Sequence, residues 1–280
     1  MAILKVLADS VCDVPAEVAR QLDITLIPAV VVMDGQSYLD DGVQLTREAF
    51  YARMPSLSQL PTTSACPLGV TREMIARKAA EADHLILIAA PARLSAIYNT
   101  FYLAAEEVVP GRYTLIDSGQ VTMGAGFQVI QAAEMAAAGA SAAKIALTLA
   151  RMRPRVHVFG ALNTLENLRR SGRVGWVTAI AGRLLQIKPV VQLTEGNVKS
   201  LDNVRTFKRA AARLVELARQ YAPLERLAIL HTNNQVMAEE LCDTLADVTP
   251  PGDTLIVNVN PALGTHVGTA ALGLALVTAG

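Results

Sequence analysis

A strand–helix–strand pattern over residues 84–117 decides the fold class. The stretch is HLILIAAPARLSAIYNTFYLAAEEVVPGRYTLID, in which apolar runs at His84–Ala90 and Arg112–Asp117 enclose a longer segment. Short runs rich in Val, Ile and Leu are typical of strands that are covered on both faces. Because such runs alternate with helical patterns, the stretch predicts an α/β protein with largely parallel sheets.

The same alternation extends over the rest of the chain. Further strands are predicted at Ile3–Ala8, Leu26–Met33, Arg155–Gly160, Ile187–Leu193, Arg226–Thr232 and Thr254–Val259. The clearest helix is predicted at Thr206–Tyr221, where apolar residues recur at three- and four-residue steps opposite a charged face. The segment Arg151–Arg155 indicates a helix end followed by a new strand. It predicts a domain boundary, with one α/β domain at residues 1–153 and another at 154–280.

The composition excludes several classes of protein. The chain has 280 residues, of which 52% are hydrophobic and 18% charged, so it is not intrinsically disordered. Its 25 basic and 25 acidic residues give zero net charge without a basic run, so nucleic acid is not an expected partner. The three cysteines and four histidines show no metal-ligand spacing, and we expect neither a metal nor a cofactor.

One uncharged stretch tests the expectation of a protein without a membrane segment. Residues 254–280 contain no Asp, Glu, Lys or Arg and are long enough to span a bilayer. Polar residues such as Asn258, Asn260 and His266 interrupt the stretch, which we therefore interpret as a buried strand, a polar loop and a core helix. The N-terminal apolar run reaches Asp9 too soon for a signal peptide. We expect a cytoplasmic, monomeric protein with reduced cysteines.

Polar segments after predicted strands are the candidate binding elements, because ligands of α/β sheets gather beyond the carboxyl ends of strands. The main candidates are Pro61–Pro67 with three consecutive hydroxyls, Pro91–Ser95, Arg169–Arg173 and Gly264–Gly268. Each also has a structural explanation as a turn, a solvated helix end or a satisfied histidine. A nucleophile elbow and a phosphate loop are both missing from the sequence, which disfavours hydrolases and nucleotide-binding enzymes.

Taken in order, these segments resemble the DegV family of bacterial fatty-acid-binding proteins. The resemblance spans nearly the whole chain and rests on residues 8–10 (Ala-Asp-Ser), 61–64 (Pro-Thr-Thr-Ser), 116–118 (Ile-Asp-Ser), 171–173 (Ser-Gly-Arg) and 264–268 (Gly-Thr-His-Val-Gly). It implies an N-terminal three-layer α/β/α domain with a mostly parallel sheet, followed by a C-terminal α/β domain. It also implies one long-chain fatty acid in a buried tunnel of the N-terminal domain, near the domain interface.

The resemblance further implies a role without catalysis, in which the bound carboxylate is presented to a separate fatty-acid kinase. In such proteins, hydroxyls of a Thr-Thr-Ser loop and of a Ser-Ser-Gly-Leu-Ser-Gly-Thr loop hold the carboxylate, and an arginine and a histidine lie nearby. A C-terminal loop contributes the histidine. The corresponding predicted binding residues are Thr62, Thr63, Ser64, Arg93, Ser95, Arg173, Thr265 and His266.

The second hydroxyl loop departs from the family pattern. Residues 91–98 are Pro-Ala-Arg-Leu-Ser-Ala-Ile-Tyr, so both leading serines are missing and both glycines are replaced. One hypothesis is that Arg93 supplies a bidentate, charge-assisted bond to the carboxylate. The alternative is that Arg93 points to solvent and that the headgroup site is weaker or changed.

Other functions stay open at this point. DegV-type domains are similar to a domain of dihydroxyacetone kinases, which suggests an enzyme or a binder of a small polar metabolite. His266 with Asp9 or Asp117 could also form an acid–base pair for hydrolysis. A third alternative is a regulatory protein whose lipid site has degraded.

Overall fold

The computed structural model describes residues 2–178, 187–252 and 254–280. The strands are β1 (Leu4–Asp9), β2 (Ile24–Ile27), β3 (Val30–Met33), β4 (Gln36–Leu39), β5 (Thr62–Ser64), β6 (His84–Ala89), β7 (Tyr113–Asp117), β8 (Val156–Ala161), β9 (Lys188–Thr194), β10 (Asn197–Val204), β11 (Leu224–His231), β12 (Leu255–Asn258) and β13 (Leu272–Thr278). The helices are α1 (Ala16–Gln21), α2 (Arg47–Arg53), α3 (Leu68–Ala79), α4 (Ile97–Val108), α5 (Thr122–Ala137), α6 (Ala142–Met152), α7 (Glu166–Ser171), α8 (Gly175–Thr178), α9 (Phe207–Tyr221), α10 (Gln235–Thr244) and α11 (Pro261–Val267).

The first sheet contains the strand–helix–strand unit predicted from residues 84–117. Strands β2, β1, β6 and β7 lie in that order, and all of their pairings are parallel. Helices α3 and α4 pack on one face, and α5 packs on the other. Both faces are therefore buried, which is why β6 is apolar at almost every position. The expected three-layer α/β/α arrangement with a parallel sheet is confirmed.

The second sheet differs from the expectation of largely parallel sheets. Its strands lie in the order β10-β9-β8-β13-β11-β12, and the pairings are antiparallel except between β11 and β12. Strands β9 and β10 are joined by a tight turn at Glu195 and Gly196, whose φ angles of 48° and 72° suit a two-residue hairpin. A hairpin places neighbouring strands antiparallel, whereas a parallel pair needs a longer crossover.

Helix α5 lies between the two sheets and contributes to the packing of both. Its residues Met123 and Val129 are buried in one apolar cluster with Ile86 of β6 and Ala275 of β13. Helices α9 and α10 pack on the far face of the second sheet. The predicted domain boundary falls at a single turn of 3₁₀ helix, Arg153–Arg155, between α6 and β8. The division into residues 1–153 and 154–280 stays a prediction.

Two segments differ from their predicted structure. The predicted strand Leu26–Met33 is divided at Pro28, so β2 belongs to the parallel sheet and β3 to a separate sheet of order β4-β3-β5. Proline has no amide hydrogen to donate and ends the β2 pairing there.

In the C-terminal stretch, the expected polar loop is helix α11 and the expected core helix is strand β13. A fully buried apolar run has no periodicity that distinguishes a strand from a helix.

Helix α9 agrees with the helix predicted at Thr206–Tyr221. Helix α9 follows Thr206, whose hydroxyl caps it by accepting a hydrogen bond from the Arg209 amide at 3.3 Å. None of the helices in the described part of the chain is both long and apolar enough to cross a membrane.

Candidate functional site

A cavity of about 660 Å³ lies between the parallel sheet and the second sheet. This volume falls in the range of about 300–1,000 Å³ that is usual for small-molecule sites. The aliphatic part of its wall includes Val158, Leu162, Val191, Leu193, Val198, Leu230, Leu263 and Leu272. All eight belong to the C-terminal half, and residues of the N-terminal half such as Val11, Ala29 and Val121 complete the apolar wall, so the cavity is lined from both halves.

Thr63 and His266 form one polar position on the cavity wall. Thr63 lies on β5, which pairs antiparallel with β3 through Val31 opposite Thr63. His266 lies in the last turn of α11, and its Nε2 is 2.9 Å from the Thr63 hydroxyl oxygen. Both side chains line the cavity. The fold therefore brings together two predicted site residues that are 203 positions apart in the sequence.

The environment of His266 keeps its imidazole neutral at pH 7. Burial and, to a smaller extent, the positive charge of Arg173 together lower its pKa to about 4. A neutral imidazole carries one ring hydrogen. When that hydrogen is on Nε2, it is donated to the Thr63 oxygen. The Thr63 hydroxyl hydrogen is then free to be donated to an anionic ligand.

The two predicted arginines also line the cavity, and both are exposed. Arg173 follows α7 and donates from Nη1 to the Ser171 carbonyl oxygen at 2.8 Å. Arg93 lies in the turn between β6 and α4, against the β9–β10 hairpin: a Cβ at Gly196 would be 3.6 Å from its Cβ and Cδ. Within the described ranges, the Arg93 guanidinium makes neither a hydrogen bond nor an ion pair. It is therefore available to an anion.

The other predicted hydroxyl residues divide into two groups. Ser64 and Ser95 line the cavity, and the Ser95 hydroxyl also accepts a hydrogen bond from the Ile97 amide at 3.2 Å. Thr62, at the start of β5, is exposed and does not line the cavity. Thr265 is also outside the lining, since its hydroxyl donates to the Pro261 carbonyl oxygen at 3.0 Å within α11.

Neither proposed acid–base partner of His266 contacts it. Asp9 is buried and accepts hydrogen bonds from the amides of Val11 and Ala90, at 3.0 and 2.7 Å. Asp117 accepts from two other backbone amides, those of Ala92 and Gly119. Both carboxylates hold loops at the ends of parallel strands, a common role of aspartates in turns. In the described part of the chain, no group of three His, Cys, Asp or Glu residues could hold a metal ion.

Sequence reasoning missed several polar residues of the wall, including Asn99, Thr122, Ser171, His231 and Thr232. Ser171 belongs to a quoted motif but not to the predicted site. Thr232 is the one that a signal could have indicated, because it ends the predicted strand Arg226–Thr232 at the edge where ligands gather. The aliphatic wall carries no sequence signal, since a cavity wall and an ordinary core have the same composition.

The fold and the site define an α/β protein with a largely apolar cavity between its two larger sheets and with the polar pair Thr63 and His266 on the cavity wall. The chain belongs to the DegV family, because the family model described as "uncharacterised protein, DegV family" matches residues 3–279. The resemblance stated from the sequence motifs is thereby confirmed.

Relatives and solved structures agree with this assignment. A DegV domain-containing protein of Deinococcus radiodurans is 32% identical over 282 residues, covering 98% of each chain. A DegV family protein from Thermus thermophilus, whose solved structure is described as showing fatty acid binding, is 27% identical to this chain. The two structures match with a TM-score of 0.90 over 100% of each chain. DegV of Bacillus subtilis, described as a fatty acid binding protein, has a TM-score of 0.89 at 26% identity, again with 100% coverage of both.

Proposed function

We propose that this protein binds one long-chain fatty acid, with the acyl chain in the cavity and the carboxylate at Thr63 and His266. One observation carries the proposal: the 660 Å³ cavity has a largely aliphatic wall, and the hydrogen-bonded pair Thr63 and His266 lies on that wall. The solved DegV structures described as fatty acid binding support it, since they share the fold over the whole chain.

The apolar wall supplies the binding free energy in this proposal. A sixteen-carbon acid has about fourteen methylenes, and at about 0.8 kcal/mol each their burial contributes roughly 11 kcal/mol. Association costs an estimated 4–15 kcal/mol. Useful affinity therefore requires that most of the acyl chain is enclosed and that the carboxylate is paired, because an unpaired buried charge is far more costly than a hydroxyl.

The carboxylate is paired by the residues that line the polar part of the cavity. Thr63 and Ser64 donate hydroxyl hydrogens, and Arg173 supplies positive charge near His266. Arg93 replaces the missing serines of the second loop, since its guanidinium is exposed at the wall and makes no bond with a described residue. Ser95 is the one hydroxyl of that loop that remains. Thr62 and Thr265 do not line the cavity, and in this proposal neither touches the ligand.

The role that we propose is carriage without catalysis, with the carboxylate presented to a separate fatty-acid kinase. The exposure of both arginines beside the site supports this role, because a partner protein could reach a carboxylate bound there. The cysteines offer no activated nucleophile, because burial raises the pKa of the Cys12, Cys66 and Cys242 thiols. All three are free, in keeping with the cytoplasmic location that we propose.

Calorimetric titration with palmitate and with hexadecanol tests the proposal. The two ligands share an acyl chain and differ in the headgroup, so palmitate should bind at least tenfold more tightly, as expected for a charged hydrogen bond of about 1.5–3 kcal/mol. A Leu193→Trp variant, which places an indole ring in the aliphatic wall, should abolish binding of both.

The control for that variant is Leu147→Trp on α6, where the side chain is 54% exposed and does not line the cavity. It should bind both ligands like the unmodified protein. Equal affinity for palmitate and hexadecanol would contradict the headgroup site, and unaffected binding by Leu193→Trp would contradict the cavity as the place of the acyl chain.

A further inference from the structure

The helix that carries His266 is held at its N-terminus by side chains from the first sixty residues. The Asp13 carboxylate accepts a hydrogen bond from the Asn260 amide at 3.0 Å, and the Asp40 carboxylate accepts one from the Ala262 amide at 3.4 Å. Tyr51 donates its hydroxyl hydrogen to the Val259 carbonyl oxygen at 2.9 Å. Arg47 donates to the carbonyl oxygen of Asn258. We call these four residues, Asp13, Asp40, Arg47 and Tyr51, the α11 anchor.

The α11 anchor consists of three buried residues and the half-buried Arg47, which pairs with Asp13. Asp13 and Asp40 are only 1% and 6% exposed, and Arg47 Nη2 lies 3.0 Å from Asp13 Oδ1. The Ser10 hydroxyl donates to Asp40 Oδ2 at 3.1 Å. Two buried carboxylates beside one guanidinium are costly to enclose, and such groups give little net stability compared with apolar residues. The free-energy cost of burying these charges indicates that they serve to hold the N-terminus of α11 in place.

Helix α11 is capped by its own N-terminal residue and packs closely against the anchor. It is a short helix whose N-cap, Asn260, accepts from the Leu263 amide at 2.8 Å. A Cβ at Gly264 would lie against the Tyr51 hydroxyl and 3.0 Å from Phe50 Cε1, so the close packing of α11 on α2 requires a glycine there. Ala262 and His266 are four residues apart, which places them on one face of the helix. Both line the cavity.

We infer that Asp13, Asp40, Arg47 and Tyr51 are positioning residues that fix the N-terminus of α11 and so hold His266 Nε2 within hydrogen-bond distance of Thr63. The inference rests on the proposed function only where it concerns ligand affinity. The anchor does not touch the ligand; it acts through His266. None of its members lines the cavity.

The electrostatics of the anchor make Asp40→Asn the conservative substitution. Burial and the Asp13 charge raise the pKa of Asp40, the hydrogen bonds of Ser10 and Ala262 and the charge of Arg47 oppose them, and the net value is about 7. Asn258–Ala262 contributes no titratable side chain to this environment. An asparagine keeps an acceptor for Ser10 and Ala262 without a charge, whereas alanine removes the acceptor.

NMR titration of the His266 imidazole in the ligand-free protein tests the inference. Its signal is identified by its loss in His266→Gln. In the unmodified protein the imidazole should titrate near pH 4. Asp40→Ala should move this midpoint upward toward the ordinary value of about 6.5, because the released side chain becomes solvated. Asp40→Asn should restore the low value.

Two further variants separate positioning from a general loss of stability. Tyr51→Phe removes one hydroxyl from the anchor and should raise the His266 midpoint even if Asp40→Ala does not fold. Asp9→Ala removes a buried carboxylate that accepts hydrogen bonds from the amides of Val11 and Ala90, and it should leave the His266 midpoint unchanged. An unchanged midpoint in both anchor variants, or an equal shift in Asp9→Ala, would overturn the inference.

Palmitate titration of the same variants distinguishes this inference from the proposed function. Asp40→Ala should lose about tenfold in affinity, the size expected when one charged hydrogen bond is misaligned, and Asp40→Asn should recover it. A shifted His266 midpoint with unchanged palmitate affinity would support the anchor and overturn the assignment of His266 to the headgroup site.

Discussion

Replacing Thr63 by valine removes one hydroxyl from the centre of the proposed headgroup site. Valine matches threonine in shape and suits the β5 strand, where residue 63 pairs with Val31. The substitution removes the 2.9 Å hydrogen bond to His266 Nε2 and the bond proposed to the carboxylate. A hydrogen bond to a charged group contributes about 1.5–3 kcal/mol, which corresponds to a loss of roughly tenfold to hundredfold in affinity.

The chain offers a matched control for this substitution in the adjacent residue. Thr62→Val changes the same atoms on the same strand, but the side chain is exposed and lies outside the cavity lining. Calorimetric titration with palmitate should therefore give unchanged affinity for Thr62→Val and weaker binding for Thr63→Val. The binding of hexadecanol should differ less between the two variants than that of palmitate. Unweakened palmitate binding by Thr63→Val, or an equal loss in Thr62→Val, would refute the reasoning.

Three other predictions follow from named contacts. Arg93→Ala should weaken palmitate binding about tenfold if its guanidinium pairs with the carboxylate, and unchanged affinity in the same titration would exclude that role. His266→Gln should weaken palmitate binding at pH 7, because it removes the imidazole from the proposed headgroup site. Urea unfolding should stay cooperative, since the imidazole is neutral at that pH and a glutamine can still bond to Thr63. A loss of the folded state would argue for a structural role instead. Asp40→Asn should become progressively more stable than the unmodified protein as the pH rises from 5 to about 7, by about 1.4 kcal/mol per pH unit. In this range the folded unmodified protein retains a proton on Asp40, whose pKa is about 7, whereas the unfolded chain has released it. Urea denaturation at several pH values measures this difference, and a constant difference would contradict the raised pKa.

The parts of the fold that sequence reasoning predicted are those with a repeating pattern. The βαβ unit at residues 84–117 and helix α9 have patterns that only one type of element satisfies. Strand β13 was expected as a helix, because a continuous buried apolar run is compatible with either. The antiparallel order of the second sheet depends on the β9–β10 hairpin and on β13 lying between β8 and β11, which are properties of pairing rather than of any single segment.

The site divides in the same way. Motifs placed Thr63 and His266 in one predicted site, and the fold brings them to 2.9 Å. Thr62 and Thr265 stand beside them in the sequence, but neither lines the cavity, and the Thr265 hydroxyl is bonded within α11 instead. The aliphatic wall and the α11 anchor were not predicted, because a buried leucine and a capping aspartate have the same appearance in a sequence whether or not they serve a site.

Native mass spectrometry of the purified protein, followed by identification of the extracted ligand, tests the central proposal most directly. We predict one long-chain fatty acid per chain, retained by Thr62→Val and depleted in Leu193→Trp. A stoichiometric polar metabolite, or a protein that stays empty after incubation with fatty acids, would contradict the proposal.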